Sequence, residues 1–251
     1  MQITGLSMII QIYEIQDPRE AEELIYMGVD HIGSVVLEKE RWKQENLKTV
    51  VSMCKEAKKR SSMIFLFQDI EVLKKAIEYY EPDILHLCED ITAETESYIE
   101  RQVLIKNLFP QLMIMRSIPV PPKGNKWLLS IEKLKAFEPY TDIFLIDTYV
   151  NKPPVNGYIG ITGRTCDWNL AKRIVDKLNK PVLLGGGLNP SNVYKAISIV
   201  KPYGVDSCTG TNMVDNFGKP IRFKKDMNKV RSFIEECRRY EREKSYCQGA
   251  A

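Results

Sequence analysis

The sequence lacks the features that would place it in several common protein classes. Its six cysteines are scattered without a CxxC pair, which argues against a disulfide framework or a zinc site. No apolar run reaches the roughly 18 residues of a membrane span. A net charge of +3 gives no basic surface of the kind that binds nucleic acid. With no leader-like segment at the start of the chain, we expect a cytoplasmic protein that binds neither nucleic acid nor membranes.

Residues that hold metals or nucleotide cofactors are also scarce. The chain has only two histidines, His31 and His86, and no group of residues has metal-ligand spacing. No GxGxxG motif follows the first predicted strand, which counts against a dinucleotide-binding fold. We therefore expect neither a metal nor a cofactor.

What the chain does have is a series of short apolar segments along all 251 residues. Such segments are typical of parallel strands that are covered on both faces. The predicted strands are Ile9–Tyr13, His31–Val36, Ser62–Phe67, Ile84–Leu87, Leu112–Ser117, Ile143–Ile146, Pro181–Leu184 and Tyr203–Ser207. Amphipathic helical segments lie between them, and the last is expected over Lys225–Glu241. The alternation predicts one (β/α)₈ TIM barrel over residues 1–251, with an N-terminal extension at 1–7 and a frayed tail at 242–251.

Two consecutive strand–helix units near the C-terminus carry the first functional signal. One strand ends in the glycine turn Gly186-Gly187, and the next ends in the small-residue turn Thr209-Gly210. In (β/α)₈ barrels the loops after strands seven and eight commonly bind a phosphate group. Backbone N–H groups at such turns attract an anion without a lysine. The sequence therefore predicts a phosphorylated small-molecule ligand.

Four segments, in order and with barrel spacing, carry a resemblance to a known family. They are FLIDTYV (144–150), GITGRTCDW (160–168), LGGGLNPSNV (184–193) and KPYGVDSCTG (201–210). In these segments the chain resembles the phosphoribosylanthranilate isomerase family of tryptophan biosynthesis. The first half matches mainly through the pattern xGxDxIGxV around residues 28–35.

The resemblance implies a cofactor-free Amadori rearrangement of an aminoaldose phosphate to an aminoketose phosphate. This reaction needs a general acid to open the furanose ring and a general base to remove the C2 proton. Asp147 stands at the position of the family's acid. The family's base is a cysteine in a KxCG motif, but here Tyr13 occupies the cysteine position and Glu14 the glycine position. A tyrosine, with an ordinary pKa near ~10, is a poor base at neutral pH.

Other residues are candidates for the missing base or for substrate binding. Glu14 and His86 are candidate replacement bases, although a capping acid and a hydrogen-bonded core histidine are equally good explanations of them. Arg116 matches the family's strand-five lysine, and Arg41 lies in the loop that carries the family's arginine. The predicted substrate-binding residues are Arg41, Arg116, Gly163, Gly186, Gly187, Cys208, Thr209 and Gly210.

The sequence therefore predicts a phosphoribosylanthranilate isomerase-like enzyme acting on a phosphorylated ribosylamine, as a monomer or homodimer. Family-like residues cluster at the predicted phosphate loops, whereas the first four strands depart from the family pattern. That asymmetry leaves two alternatives open. One is another reaction on a related phosphosugar, by a lyase, an epimerase or a hydrolase. The other is a catalytically silent phosphosugar-binding protein.

Overall fold

Eight parallel strands close into a barrel in the order of the chain. The structure is a computed structural model that describes residues 7–249, with side chains described as far as residue 245. The strands are β1 (Ile9–Ile12), β2 (His31–Val36), β3 (Arg60–Phe65), β4 (Ile84–Leu87), β5 (Met113–Val120), β6 (Ile143–Thr148), β7 (Val182–Leu184) and β8 (Gly204–Ser207). The barrel closes where β1 pairs with β8, with Ile12 beside Ser207. The predicted TIM barrel is confirmed.

Eight α-helices surround the barrel. They are α1 (Pro18–Tyr26), α2 (Glu45–Glu56), α3 (Ile70–Tyr80), α4 (Glu96–Leu108), α5 (Ile131–Phe137), α6 (Trp168–Lys177), α7 (Val193–Val200) and α8 (Met227–Gly249). Side chains cap several of them: Asp17 accepts from the Arg19 N–H, and Asp167 from the Leu170 N–H. Such caps satisfy N–H groups that have no partner inside the helix. Within residues 7–249, no helix is both long and apolar enough to cross a membrane.

A β-hairpin between β8 and α8 is absent from the sequence prediction. Its strands are β9 (Asn212–Val214) and β10 (Pro220–Lys225), which pair antiparallel. The expected start of the last helix at Lys225 is therefore wrong, because Lys225 ends β10. Most hairpin residues are exposed or half-buried, so the segment has no apolar pattern that would reveal it.

The chain ends differ from the expectation only in part. The backbone is helical through Gly249, which includes most of the segment that was predicted to fray. Ser7 and Met8 contact Glu241 of α8, so the last part of the predicted N-terminal extension packs on the barrel. Residues 1–6 and 250–251, the rest of the predicted extension and tail, lie outside the described residues.

A buried polar layer inside the barrel joins β1, β2 and β8. The amide of Gln11 links two neighbours there: Nε2 donates to Asp206 Oδ1 at 3.0 Å, and Oε1 lies 3.1 Å from His31 Nδ1. All three residues are buried. Because buried polar groups need partners, this layer fixes the orientation of the side chains beneath the candidate site.

Candidate functional site

A cavity of about 50 Å³ lies at the carboxyl ends of the strands. Tyr13, His86, Asp147 and Asp206 project into it from four different strands or strand ends. Part of its wall comes from the loop between β6 and α6, over residues 155–161. The lining residues include Glu14, Val35, Ile64, Leu66, Cys88, Leu145, Val155, Tyr158, Ile159, Gly160, Ile161 and Cys208. The functional sites of TIM barrels form at this end of the barrel.

Tyr13 lies directly after β1 and is held inside the cavity by hydrogen bonds. Its hydroxyl is 2.6 Å from Ser62 Oγ and 2.8 Å from His86 Nδ1. The side chain is buried, and burial raises the pKa of its phenol well above 10. Tyr13 and Asp147 therefore line the same cavity, but even less of the Tyr13 hydroxyl ionises to phenolate at neutral pH than in an ordinary tyrosine.

His86 points into the barrel from β4. Its Nε2 lies 2.7 Å from Ser117 Oγ, so both ring nitrogens have hydrogen-bond partners. Burial, assisted by the positive charge of Arg116, lowers its pKa to about 3. The imidazole is therefore neutral at physiological pH and poorly suited to accept a proton.

Glu14 is held as an ion pair at the edge of the cavity. It accepts from Arg222 Nε of β10 at 2.6 Å and from Asn212 Nδ2 at 3.1 Å. Burial alone would raise its pKa, but Arg222, Asn212 and Lys225 together lower it. A paired carboxylate of low pKa holds a cation better than it accepts a proton. Its backbone has φ +67°, a conformation that favours glycine, the residue that the resembled family has at this position.

Asp147 is the second-last residue of β6, at the position where the sequence predicts the general acid. The carboxyl group accepts from the Thr148 N–H at 2.6 Å, and the loop after β6 folds against it. The contact with the loop requires a glycine, since a Cβ at Gly160 would lie 2.5 Å from Asp147 Oδ2. Burial raises the pKa of Asp147 to about 6. Near neutral pH a useful fraction of the carboxyl therefore carries a proton, as a general acid requires.

Asp206 of β8 is a site residue that sequence reasoning missed. Burial raises its pKa to about 7, the Gln11 hydrogen bond lowers it, and the nearby Asp147 carboxylate raises it further. The signal was present in the sequence, as an aspartate inside an otherwise apolar predicted strand. Two carboxyl groups with raised pKa values thus share the cavity, and such pairs mark acid–base sites.

The two cysteines at the cavity are poor nucleophiles. Burial raises the pKa of the thiols of Cys88 and Cys208 above the ordinary value. Lys225 lies behind Cys208, where Nζ donates to the Cys208 carbonyl at 2.9 Å. Neither thiol supplies thiolate in the way that an activated catalytic cysteine does.

The segments that were predicted to bind phosphate come together in the structure. A Cβ at Gly187 would lie 2.7 Å from the Arg164 carbonyl oxygen, and one at Gly163 would lie 3.7 Å from Thr209 Oγ1. Gly210 packs against the carbonyl of Leu188. In the 3₁₀ turn after β8, the N–H groups of Thr211 and Asn212 make the hydrogen bonds of the turn. The N–H groups of Thr209 and Gly210, at the start of the turn, take no part in those bonds and are available to a ligand.

Arg116 is a correction to the sequence prediction. It points away from the barrel interior, into the layer between β5 and the helices, and it is fully buried there. Its Nη1 lies 2.7 Å from Glu89 Oε2, and its Nε donates to Gln102 of α4 at 3.1 Å. The alternation of side chains along β5 explains the direction, because Ser117, the next residue, faces His86.

Arg41 lies on an exposed 3₁₀ turn after β2. Its side chain is 84% exposed and lies 3.7 Å from Glu38 Oε2. It is not among the residues that line the cavity. A role for Arg41 in substrate binding stays a prediction.

Comparisons with known proteins match this arrangement. The family model for N-(5'-phosphoribosyl)anthranilate (PRA) isomerase matches residues 10–236. The N-(5'-phosphoribosyl)anthranilate isomerase of Caldanaerobacter subterraneus subsp. tengcongensis is 31% identical over 225 residues, 88% of this chain and 94% of that protein. With isomerase 2 of Methanosarcina mazei the identity is also 31%, over 57% of each chain. The N-(5'-phosphoribosyl)anthranilate isomerase structure from Pyrococcus furiosus shares the fold, with a TM-score of 0.66 at 21% identity, over 92% of this chain and 99% of that one.

The fold and the site define a (β/α)₈-barrel enzyme with paired carboxyl groups at its strand ends. Since the family model spans almost the whole barrel, membership can be stated directly. The chain belongs to the N-(5'-phosphoribosyl)anthranilate isomerase family.

Proposed function

We propose that this protein isomerises a phosphorylated ribosylamine, N-(5'-phosphoribosyl)anthranilate or a close analogue, in tryptophan biosynthesis. The observation that carries the proposal is the carboxyl group of Asp147, which faces the cavity from the end of β6. Its raised pKa keeps part of it protonated near neutral pH. Family membership supports the same reaction.

Asp147 is the proposed general acid. It donates its proton to the ring oxygen of the furanose as the bond from that oxygen to C1 breaks. The nitrogen lone pair forms the C1=N bond of an iminium ion. Removal of the C2 proton and protonation at C1 then complete the change from aldose to ketose. The reaction is redox-neutral, so no cofactor is required.

The phosphate of the substrate is proposed to bind where three loops meet. The turn at Gly186-Gly187, the turn at Thr209-Gly210 and the segment at Gly163 pack together at one side of the barrel mouth. Backbone N–H groups in such loops bind phosphate oxygens. A phosphate held there would place the sugar over the cavity that Asp147 lines.

The bulk of the Tyr13 side chain favours a second candidate, the same chemistry with a smaller group than anthranilate on the nitrogen. Small-molecule sites usually measure about 300–1,000 Å³, and this cavity holds about 50 Å³. The Tyr13 ring occupies part of the volume that a cysteine would leave free. The loop at 155–161 must therefore move for any sugar phosphate to enter.

Turnover of N-(5'-phosphoribosyl)anthranilate, followed by fluorescence, tests the proposal. We expect measurable activity that Asp147→Asn reduces by about 10²–10⁴-fold. Ribose 5-phosphate should still bind to that variant, since the phosphate loops are unchanged. Binding without turnover in the wild type would favour the second candidate, and activity that survives Asp147→Asn would remove Asp147 as the acid.

Location in the cytoplasm is part of the same proposal. It is supported by the state of the cysteines, since Cys54, Cys88, Cys166, Cys208 and Cys237 are all free. Free thiols are the norm in the reducing cytoplasm.

A further inference from the structure

We propose that Asp206 is the general base of this enzyme and takes the part that a cysteine at the end of β1 plays in the resembled family. The inference rests on the proposed function, because it names the group that removes the C2 proton in that reaction. It is carried by the position of the Asp206 carboxylate at the floor of the cavity.

The two oxygens of Asp206 have different surroundings. Oδ1 accepts from Gln11 Nε2 at 3.0 Å, and Gln11 is itself fixed by His31. Within residues 7–245, no donor contacts Oδ2. One oxygen therefore orients the carboxylate, and the other is free to accept a proton from a substrate.

A glycine keeps the space in front of Oδ2 open. Gly185 follows β7, between the strands that carry Asp147 and Asp206, and a Cβ there would lie 3.3 Å from Asp206 Oδ2. The two carboxyl groups thus line one cavity with no side chain from β7 between them. The reaction needs an acid and a base that reach the same sugar, and two carboxyl groups in one cavity meet that need.

The other titratable groups around the cavity are less suited to the role. The Tyr13 hydroxyl already contacts Ser62 and His86, and both nitrogens of His86 have partners. Glu14 is paired with Arg222, while the thiols of Cys88 and Cys208 have raised pKa values and stay protonated at neutral pH. Lys225 lies behind β8, bonded to the Cys208 carbonyl and to Asn212. Asp206 is the carboxylate in this group that shares the cavity with Asp147 and pairs with no cation.

The proton transfers balance without a co-reactant. Asp206 Oδ2 takes the C2 proton of the iminium ion, the C2–H electron pair forms the C1=C2 bond, and the C1=N π electrons return to nitrogen. In the second step Asp206 returns its proton to C1 as the O2 proton of the enol passes to the Asp147 carboxylate, which gives the ketone. Both carboxyl groups thereby regain their starting protonation states.

The pH profile and two variants test the inference on N-(5'-phosphoribosyl)anthranilate. Asp147 and Asp206 have pKa values of about 6 and about 7, and these belong to the coupled pair. Below this window both groups are protonated and no base remains, whereas above it both are ionised and no acid remains. We expect a bell-shaped profile of kcat/KM in the wild type. Asp206→Asn should lower kcat by about 10²–10⁴-fold and remove the acidic limb.

A rescue experiment separates catalysis from structure. Tyr13→Cys in the Asp206→Asn background supplies the family's thiol from β1, and we expect it to recover at least tenfold in kcat. A structural role for Asp206 would not be rescued in this way. Asp176→Asn, on the exposed face of α6, is the matched control and should stay within twofold of the wild type. Circular dichroism confirms that each variant is folded.

The outcomes distinguish the inference from the function. A wild type that turns over neither N-(5'-phosphoribosyl)anthranilate nor an analogue with a smaller group on the nitrogen overturns both. An active wild type that loses activity in Asp147→Asn but keeps it in Asp206→Asn overturns only the base. Loss in Tyr13→Phe that exceeds the loss in Asp206→Asn would assign the base to Tyr13 and overturn the inference as well.

Discussion

Gly33 of β2 lies directly against the ring of Tyr13. A Cβ built at Gly33 would be 2.6 Å from Tyr13 Cε1, which is closer than two carbon atoms approach in proteins. The large aromatic side chain at the end of β1 therefore depends on the absence of a side chain on the neighbouring strand. The glycine lets Tyr13 lie inside the barrel, where it fills space beneath the barrel mouth.

We expect Gly33→Ala to destabilise the protein by about 1–3 kcal/mol, the usual cost of overpacking a core. The Tyr13 ring would have to move from its contacts with Ser62 and His86. Urea unfolding measures the loss. In a Tyr13→Cys background the same substitution should cost much less, because a thiol leaves room for the methyl group. Equal costs in the two backgrounds would show that the ring does not limit the space at Gly33.

Arg116→Met should reduce stability rather than ligand binding. It leaves the buried Glu89 with Arg101 as its remaining cationic partner. Loss of one member of a buried ion pair typically costs about 3–5 kcal/mol. The double variant Arg116→Met/Glu89→Gln should recover part of that loss, as chemical unfolding can show. The affinity for ribose 5-phosphate should stay unchanged in folded protein, and a tenfold drop would restore Arg116 as a substrate residue.

Asp206→Asn should stabilise the protein at high pH. The pKa of Asp206 is raised to about 7 in the folded state, against about 3.9 in an unfolded chain. The stability that this group contributes is present below pH 4 and is lost as the pH rises through 7. The asparagine can still accept from Gln11 and carries no charge. The variant should therefore gain at most about 4 kcal/mol at pH 8 and little at pH 4, as urea midpoints will show. A gain that does not depend on pH would contradict the raised pKa.

Much of the barrel was predictable because parallel strands leave a strong sequence signal. Their apolar segments and the helices between them repeat along the chain, and the glycines of the proposed phosphate loops follow β7 and β8. The side on which the Arg116 side chain lies was not predictable. A shift of one residue in strand register moves a side chain from the barrel interior to the helix layer. The structure starts β3 at Arg60 and extends β5 to Val120, so strand bounds read from apolar runs differ by up to three residues.

The candidate site was predictable only where a motif marked it. Asp147 follows an apolar run and matches the family's acid, so its place at the rim followed from the sequence. The family resemblance assigns no role to Asp206, and its proposed function depends on a cavity that only the folded barrel forms. The pairing of Glu14 with Arg222 joins residues 208 positions apart through a hairpin that has no apolar pattern. No local sequence pattern reports such a contact.

The loops proposed to bind phosphate give the last prediction, in which a matched pair of glycines separates backbone strain from steric contact. Gly186 has φ +79° and Gly218 has φ +78°. A Cβ at Gly186 would meet the Thr148 side chain and lie 3.2 Å from the Thr148 N–H, whereas a Cβ at Gly218 would meet nothing within 4 Å. Alanine at either position carries similar backbone strain, which costs roughly 1 kcal/mol. Only Gly186→Ala displaces the loop after β7.

We therefore expect Gly186→Ala to weaken ribose 5-phosphate binding by at least tenfold, and Gly218→Ala to leave it within twofold of the wild type. Isothermal titration calorimetry measures both affinities, and thermal unfolding checks that both variants are folded at the temperature of the titration. The proposed phosphate contact is made by backbone N–H groups, so moving the loop removes it even though no side chain is lost. Equal binding by the two variants would place the phosphate elsewhere on the barrel.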